Sequence, residues 1–349
     1  MIAPTRDKTD NLPSLSIIIV NRNSSKKLAR SLRRIREQNY PKKLIEILVI
    51  DGGSTDNSKK TAIAGGAKFI NGGYPENQEA RRYVGAKKAK NEIIVWIDSD
   101  NYLPEKNWFR RMVEPLILDQ KIFAAETLFY TYRRKDRAFN RYCSLFGIND
   151  PVAFYLGKAD RATHYQRGWR LMGKAEDFGG YYKVTFEDDV PTGGCNGFLI
   201  RRKILNKVLT TPEEYFHIDV IFDLVKQGHK NIAFVKNGII HDTSDSLGKL
   251  IKKRISYFSQ HHIKQSGKRR YKVFDSKNRL DVLRLLLFLV YTITIVRPLF
   301  DSIRGYLKKP DSAWFLHPVV CWCFLYAYGI SIVQSEISGI YRKNNKEET

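Results

Sequence analysis

Residues 49–58 read VIDGGSTDNS, and residues 95–101 read VWIDSDN. Each places acidic side chains directly behind a run of apolar, strand-forming ones. A third stretch does nearly the same: LSIIIV, 15–20, runs into Asn21. Working outward, SKKLARSLRRIREQ (25–38) sets Leu28, Leu32 and Ile35 at helical spacing with basic residues on the other face, and YPKK breaks it. IEILVI (45–50) is a second buried strand. A helix is expected from Ser54 or Thr55 to Gly65-Gly66, then a short strand AKFI, a helix over ENQEARRYVGAKKAK, and a third strand EIIVWI (92–97). Strands alternating with helices at this tempo predict βαβ units and a mostly parallel twisted sheet, an α/β fold. Ligands of such sheets bind at the carboxyl ends of the strands, so Asn21, Asp51 and Asp98 should line one crevice.

Composition narrows the partners. The chain has 349 residues with 43% hydrophobic content, enough for a sizeable core. It carries 60 Lys and Arg against 36 Asp and Glu, a net charge of +24, which calls for a polyanionic neighbour. Cys143, Cys195, Cys321 and Cys323 show no metal-ligand spacing, and Cys321 and Cys323, inside an apolar run, read as packing residues rather than a zinc or disulfide pair. The first fourteen residues are polar and lack the apolar core of a signal peptide, so a cytoplasmic catalytic domain is expected.

The middle of the chain is mixed. WFRRMVEPLIL reads as a helix, VPTGGCNGFLIRRKIL (190–205) as a glycine loop then a strand, PEEYFHIDVIFDLVKQG (212–228) as a helix with Val220, Leu224 and Val225 inward, and KNIAFV as a last strand. From residue 249 the character changes. Residues 249–284 hold twelve Lys or Arg and two acids, Asp275 and Asp281. Two apolar runs follow, LLLFLVYTITIV (285–296) and AWFLHPVVCWCFLYAYGISIV (313–333); the second, 21 residues without formal charge, is long enough to span a bilayer. Lys and Arg with interleaved aromatics also suit nucleic acid, but basic residues placed just before apolar runs favour anionic membrane lipids instead. Either both runs span, or 285–296 and 298–309 lie along the interface and only 313–333 inserts, with His317 and Pro318 kinking or anchoring it. The expected organisation is a tail (1–14), an α/β domain (15–245) with a nucleotide-binding half (15–104) and an acceptor half (105–245), a basic region (246–284), membrane-associated helices (285–334) and a polar tail (335–349).

Asp98 and Asp100 form an Asp-x-Asp on a turn after a strand, where two carboxylates can meet one hard cation such as Mg²⁺ or Mn²⁺. Together with LSIIIVNRN, LRRIREQNYPKKLIEILVIDGGSTDNS, ARRYVGAKKAKNEIIVWIDSDNYLPEKNW and TGGCNGFLIRR, this resembles the family 2 glycosyltransferases of the GT-A nucleotide-sugar-binding fold over most of residues 15–240. The resemblance implies that Asp51 contacts nucleobase and ribose with Asn21 beside it, that Asp98 and Asp100 meet ribose and metal, that Arg82 lies near the donor, and that Gly193 and Gly194 belong to the acceptor-side loop. A late histidine joins the metal in some members, which points to His241. The chain departs from the pattern at Tyr83 and Asn91, and where a Glu-Asp pair is usual near the acceptor helix it has His217-Ile218-Asp219. An inverting transfer needs a carboxylate base. Asp219 is the first candidate, with Asp223 one turn later and Asp189, in FEDDV, as rivals; His217 could orient the acceptor.

The expectation is therefore a membrane-associated, metal-dependent, inverting glycosyltransferase. It would move a sugar from a nucleoside-diphosphate donor, UDP first and GDP or dTDP after it, to a lipid-linked or glycan acceptor. A polyprenyl-phosphate sugar synthase and a processive polysaccharide synthase are the neighbouring alternatives; QSGKRRY (265–271) does not match the Gln-x-x-Arg-Trp signature of the latter. A nucleotidyltransferase would need a glycine-rich loop where VNRNSSKK stands. A non-catalytic membrane scaffold would be indifferent to Asp100→Ala.

Overall fold

The computed structural model describes residues 12–243, 247–259 and 268–347, with side chains to residue 336. The chain divides into two compact units. One holds the residues up to Thr131 together with Leu171–Asp242; the other holds Tyr132–Arg170 and the residues from Thr243 on.

The first unit is built on a mixed sheet. Strands β1 (Leu15–Asn21), β2 (Ile45–Asp51), β3 (Lys68–Asn71) and β4 (Ile93–Trp96) are mutually parallel, joined by α1 (Ser25–Arg36), α2 (Ser58–Ala64) and α3 (Gln78–Lys88). All seven residues of β1 are buried, as expected of a parallel strand covered on both faces. Burial of each branched side chain here contributes about 1.5–3 kcal/mol. Next come β5 (Asn101–Tyr102), α4 (Trp108–Leu118) and β6 (Ile122–Tyr130); α5 (Ala138–Phe146) and α6 (Pro151–Tyr155) fall in the second unit. The chain returns with β7 (Lys174–Asp177), β8 (Tyr181–Thr185), β9 (Phe198–Arg201), α7 (Arg202–Leu205), α8 (His217–Lys226) and β10 (Asn231–His241). Among the described residues the strand order is β3-β2-β1-β4-β9-β6-β10-β8-β7, with β5 paired to the end of β10. β9 runs antiparallel between β4 and β6, so the sheet is mixed rather than wholly parallel.

Several boundaries differ from the sequence reading, each for a local reason. α2 begins at Ser58, not Ser54, because Ser54 turns its amide and hydroxyl back to Asp51, while Asp56 accepts from the Ser58 amide at 3.0 Å. α8 begins at His217, not at residue 212, since Phe216 is extended at its N-cap (φ −145°) and a remote carboxylate receives the His217 amide. β10 runs through Asn237-Gly238, a pair that reads as a turn; a register shift between Val235 and Gly238 absorbs it as a bulge.

The second unit is helical. α9 (Leu247–Phe258), α10 (Arg279–Thr294), α11 (Val296–Lys308), a 3-10 turn at Ser312–Leu316 and α12 (His317–Glu347) complete it. Residues 132–170, expected in the acceptor half, group here because their side chains find partners in the C-terminal segment. Tyr132 donates to Asp311 at 2.6 Å, Arg141 meets the same carboxylate at 2.9 Å, and Tyr142 and Tyr155 share hydrogen bonds with the two ring nitrogens of His317. α10 and α11 break at Ile295 (φ +62°) and meet at 80°. Pro318 sits in the first turn of α12, where its missing N–H is no loss. Among the described residues one stretch, Ser312–Glu336, is long and apolar enough to cross a membrane, and the bent α10–α11 pair passes the same test jointly. Residues 1–11, 244–246, 260–267 and 348–349 lie outside the described residues, and with them much of the tail, part of the basic region and the start of QSGKRRY.

Candidate active site

Register builds the end of the sheet where the nucleotide is expected. In the β1–β2 pairing Asn21 stands opposite Asp51 at the carboxyl ends of both strands. Asn21 Nδ2 donates to Asp51 Oδ1 at 2.9 Å. The remaining acceptor positions of Asp51 take the Gly53 amide (2.9 Å), the Ser54 amide (2.7 Å) and the Ser54 hydroxyl (2.6 Å), which shapes the GGS turn. Arg81, buried, lies over Gly52 so closely that an added Cβ would stand 2.6 Å from its Nη1. The bare backbone at Gly52 is what admits the guanidinium.

The Asp-x-Asp turn is held by β5. Asn101 pairs with His241 in the antiparallel β5–β10 ladder, and the Asp242 amide donates to the Asp100 carbonyl at 2.9 Å. That pairing brings His241 Nε2 to 3.8 Å from Asp100 Oδ1. Asp98 turns elsewhere: both its oxygens accept from Arg82 Nη2 at 2.7 Å. Arg82 is itself buried, and its Nη1 donates to Glu79 Oε1 at 2.6 Å. Burial opposes its charge, but Asp98 and then Glu79 outweigh burial and hold the guanidinium well above its ordinary pKa. Arg82, expected beside the donor, is held between Asp98 and Glu79.

Of the three residues expected at a metal, Asp100 and His241 adjoin and Asp98 is engaged by Arg82; among the described residues no three ligating side chains converge. Two donors each about 2.1 Å from one ion stand roughly 3–4 Å apart, so the Asp100–His241 separation fits a shared divalent cation.

On the acceptor side Gly194 has φ +107°, and a Cβ there would meet Ile221 Cδ1 at 2.4 Å. Its amide donates to Glu126 Oε2 at 3.0 Å, a carboxylate buried on β6. Gly193, also buried, precedes it in the same loop. His217 opens α8 with its amide 3.1 Å and its Nδ1 3.0 Å from Glu79 Oε2. Burial pushes the imidazole pKa down, but the Glu79 carboxylate outweighs it, with Cys195 adding to the rise, and lifts it to about 10. Asp219 is fully buried in the first turn of α8, and Asp223, one turn on, is half-buried. Asp189 is half-buried in its loop and accepts the Val190 amide at 2.9 Å.

Three residues that shape the site were not singled out from the sequence: Glu79, Arg81 and Glu126. Glu126 had a readable signal, one carboxylate inside the apolar run IFAAETLFY. Glu79 had none, because its two partners, Arg82 and His217, lie in different parts of the chain.

Comparison with known proteins bears on the family and the fold. The chain is 27% identical over 141 residues to the glycosyltransferase AglE of Haloferax volcanii, covering 39% of this chain and 46% of that protein. It is 27% identical over 107 residues to the 4,4'-diaponeurosporenoate glycosyltransferase of Staphylococcus haemolyticus, covering 29% and 28%. The chain thus spans less than half the length of these curated relatives. Among solved structures, the mannosyltransferase PcManGT from Pyrobaculum calidifontis, in complex with GDP-Man and Mn²⁺, superposes with a TM-score of 0.54 at 13% identity, over 93% of this chain and 88% of that one, a likeness of GT-A-type fold. Residues 16–209 match the family described as glycosyl transferase family 2. With more than half of its length inside that match, the chain belongs to glycosyl transferase family 2 and carries a glycosyltransferase domain.

Proposed function

We propose that the protein transfers one sugar, with inversion, from a nucleoside-diphosphate sugar seated at the ends of β1, β2 and β4 to a hydroxyl on a membrane-borne, lipid-linked or glycan acceptor. The observation that carries this is the polar residues at strand ends: Asn21 on Asp51 at the paired ends of β1 and β2, and Asp100, in the turn after β4, beside His241 at the end of β10. Asp51, with Asn21 beside it, would contact nucleobase and ribose by exchanging part of the bonding it now holds with the GGS turn, and Asp98 would meet the ribose while held by Arg82. Asp100 and His241 would hold Mg²⁺ or Mn²⁺, whose charge would offset that of the leaving diphosphate. The acceptor oxygen attacks the anomeric carbon as the bond from that carbon to the phosphate oxygen breaks; Asp219 takes the hydroxyl proton. Gly194, lacking a side chain, lets the acceptor-side loop pack directly against Ile221 on α8.

Membrane association is supported by the outer faces of the C-terminal helices. Leu283, Leu286, Val290 and Ile293 form one exposed stripe on α10, and Leu299, Phe300, Ile303 and Leu307 another on α11. Vesicle flotation tests this: binding to anionic vesicles should weaken as salt rises, and no binding at low salt would refute it.

The test of the donor site is calorimetry of UDP, GDP and dTDP binding to detergent-purified protein, with and without Mn²⁺ or Mg²⁺, beside Asp100→Ala. Metal-dependent binding of one nucleotide, abolished in the variant, is the expected result. Folded protein that binds none of them would overturn the assignment.

A further inference from the structure

Four charged side chains form an unbroken buried line through the first unit: Asp98, Arg82, Glu79, His217. Its links are 2.7 Å, 2.6 Å and 3.0 Å long. One end is the donor-side turn, and the other is the first residue of the helix that carries Asp219. Glu79 is the joint. Its Oε1 serves Arg82, and its Oε2 serves both the amide and the ring of His217, 138 positions away.

A purely structural role would be to cap α8 and neutralise Arg82. Helices ordinarily obtain caps from a residue at their own N-cap. The N-cap of α8 is Phe216, which makes no side-chain cap bond, and the helix depends instead on a carboxylate borrowed from α3. Buried ionic chains are also poor stabilisers, because desolvation consumes most of the Coulombic gain. The particular merit of this chain is its path: it connects the two substrate ends through three buried groups, Arg82, Glu79 and His217, and the partly exposed Asp98.

Resting on the reading of the crevice as a donor site, we propose that Glu79 is a positioning residue that couples the two substrates, transmitting the seating of the nucleotide at Asp98 to the first turn of α8 and so to Asp219. Displacement of Asp98 by a ribose or diphosphate draws on Arg82, whose other amino group draws on Glu79, whose second oxygen fixes where α8 begins. The donor would thereby order the acceptor helix before the acceptor arrives.

Hydrogen exchange on the full chain in detergent, with UDP, GDP or dTDP plus Mn²⁺, tests this without any requirement for turnover. In the unaltered protein, the nucleotide that binds should slow exchange at the amides of residues 217–222 by about fivefold or more, the low end of a site-to-site coupling. Glu79→Gln should bind that nucleotide with an affinity changed by less than about fivefold, since Arg82 keeps Asp98, yet lose the slowing. Glu79→Asp keeps the charge but, one methylene shorter, cannot span both partners. It should lose the slowing too, and it replaces the Gln variant if that one does not fold. A retained slowing in either variant overturns the inference, as does nucleotide binding that leaves residues 217–222 unchanged in the unaltered protein. Failure of all three nucleotides to bind removes the donor site and the inference together, a result distinct from the other two.

Discussion

Removing the cation at the centre of the buried charge line should be costly in a calculable way. In Arg82→Met the apolar volume is roughly kept, but Glu79 and Asp98 lose a guanidinium held at 2.6 and 2.7 Å. Their side chains are 1% and 21% exposed, so the two losses are unequal. Asp98 can recover water; Glu79 cannot, and its bonds to His217 do not replace the guanidinium. Stranding one buried charge costs about 3–5 kcal/mol, and the partial rehydration of Asp98 keeps the total from doubling. For a unit of some 200 residues, each kcal/mol shifts the melting temperature by about 2–4 °C, so the variant should melt about 6–20 °C lower. Urea unfolding followed by circular dichroism should show a lower midpoint at unchanged slope. The double variant Arg82→Met with Glu79→Gln should recover most of the loss, because the penalty is the uncompensated charge and not the missing contacts. A loss below about 1 kcal/mol, or a double variant as unstable as the single one, would refute the reasoning.

Gly194→Ala combines a forbidden φ with a 2.4 Å approach to Ile221; it should destabilise by about 1–3 kcal/mol, and adding Ile221→Val should relieve only the steric part, as read by thermal melts. His217 has a raised folded-state pKa, so its contribution should be fully present below its unfolded value near 6.5 and disappear as pH rises through about 10. Stability measured across that window should fall with pH in the unaltered protein and stay flatter in Glu79→Gln. Asp219→Asn should lower the transfer rate by about 10²–10⁴ while nucleotide affinity holds; an unchanged rate would pass the base role to Asp223 or Asp189.

Strands β1, β2 and β4 were legible because parallel strands covered on both faces write themselves as apolar runs, and a polar residue follows the end of each run. LSIIIV, IEILVI and EIIVWI each became a strand, with Asn21 and Asp51 in the expected register. Residues 105–245 were harder to read for three physical reasons. β10 hides a bulge at Asn237-Gly238, where turn chemistry and strand coexist. α8 takes its cap from another helix, so no local signal marks its start. Residues 132–170 have a composition suited to either unit, and only the partners of Tyr132, Arg141 and Tyr155 in the C-terminal segment decide where they belong. The orientation of Asp98 toward Arg82 was equally invisible: Asp-x-Asp spacing permits convergence on a cation but does not reveal which carboxylate a neighbouring guanidinium has already engaged.

The placement of β9 bears on how the protein is made. β4 and β6 are both buried, and the strand that joins them, Phe198–Arg201, is translated long after either. While the ribosome works through the intervening residues, each presents an apolar edge with unpaired backbone groups, the very surface on which chains stick to one another. Truncated chains released before Phe198 should therefore aggregate or remain bound to chaperones, whereas chains released after His241 should not. The timing of synthesis, as well as the finished sheet, is a constraint under which this polypeptide folds.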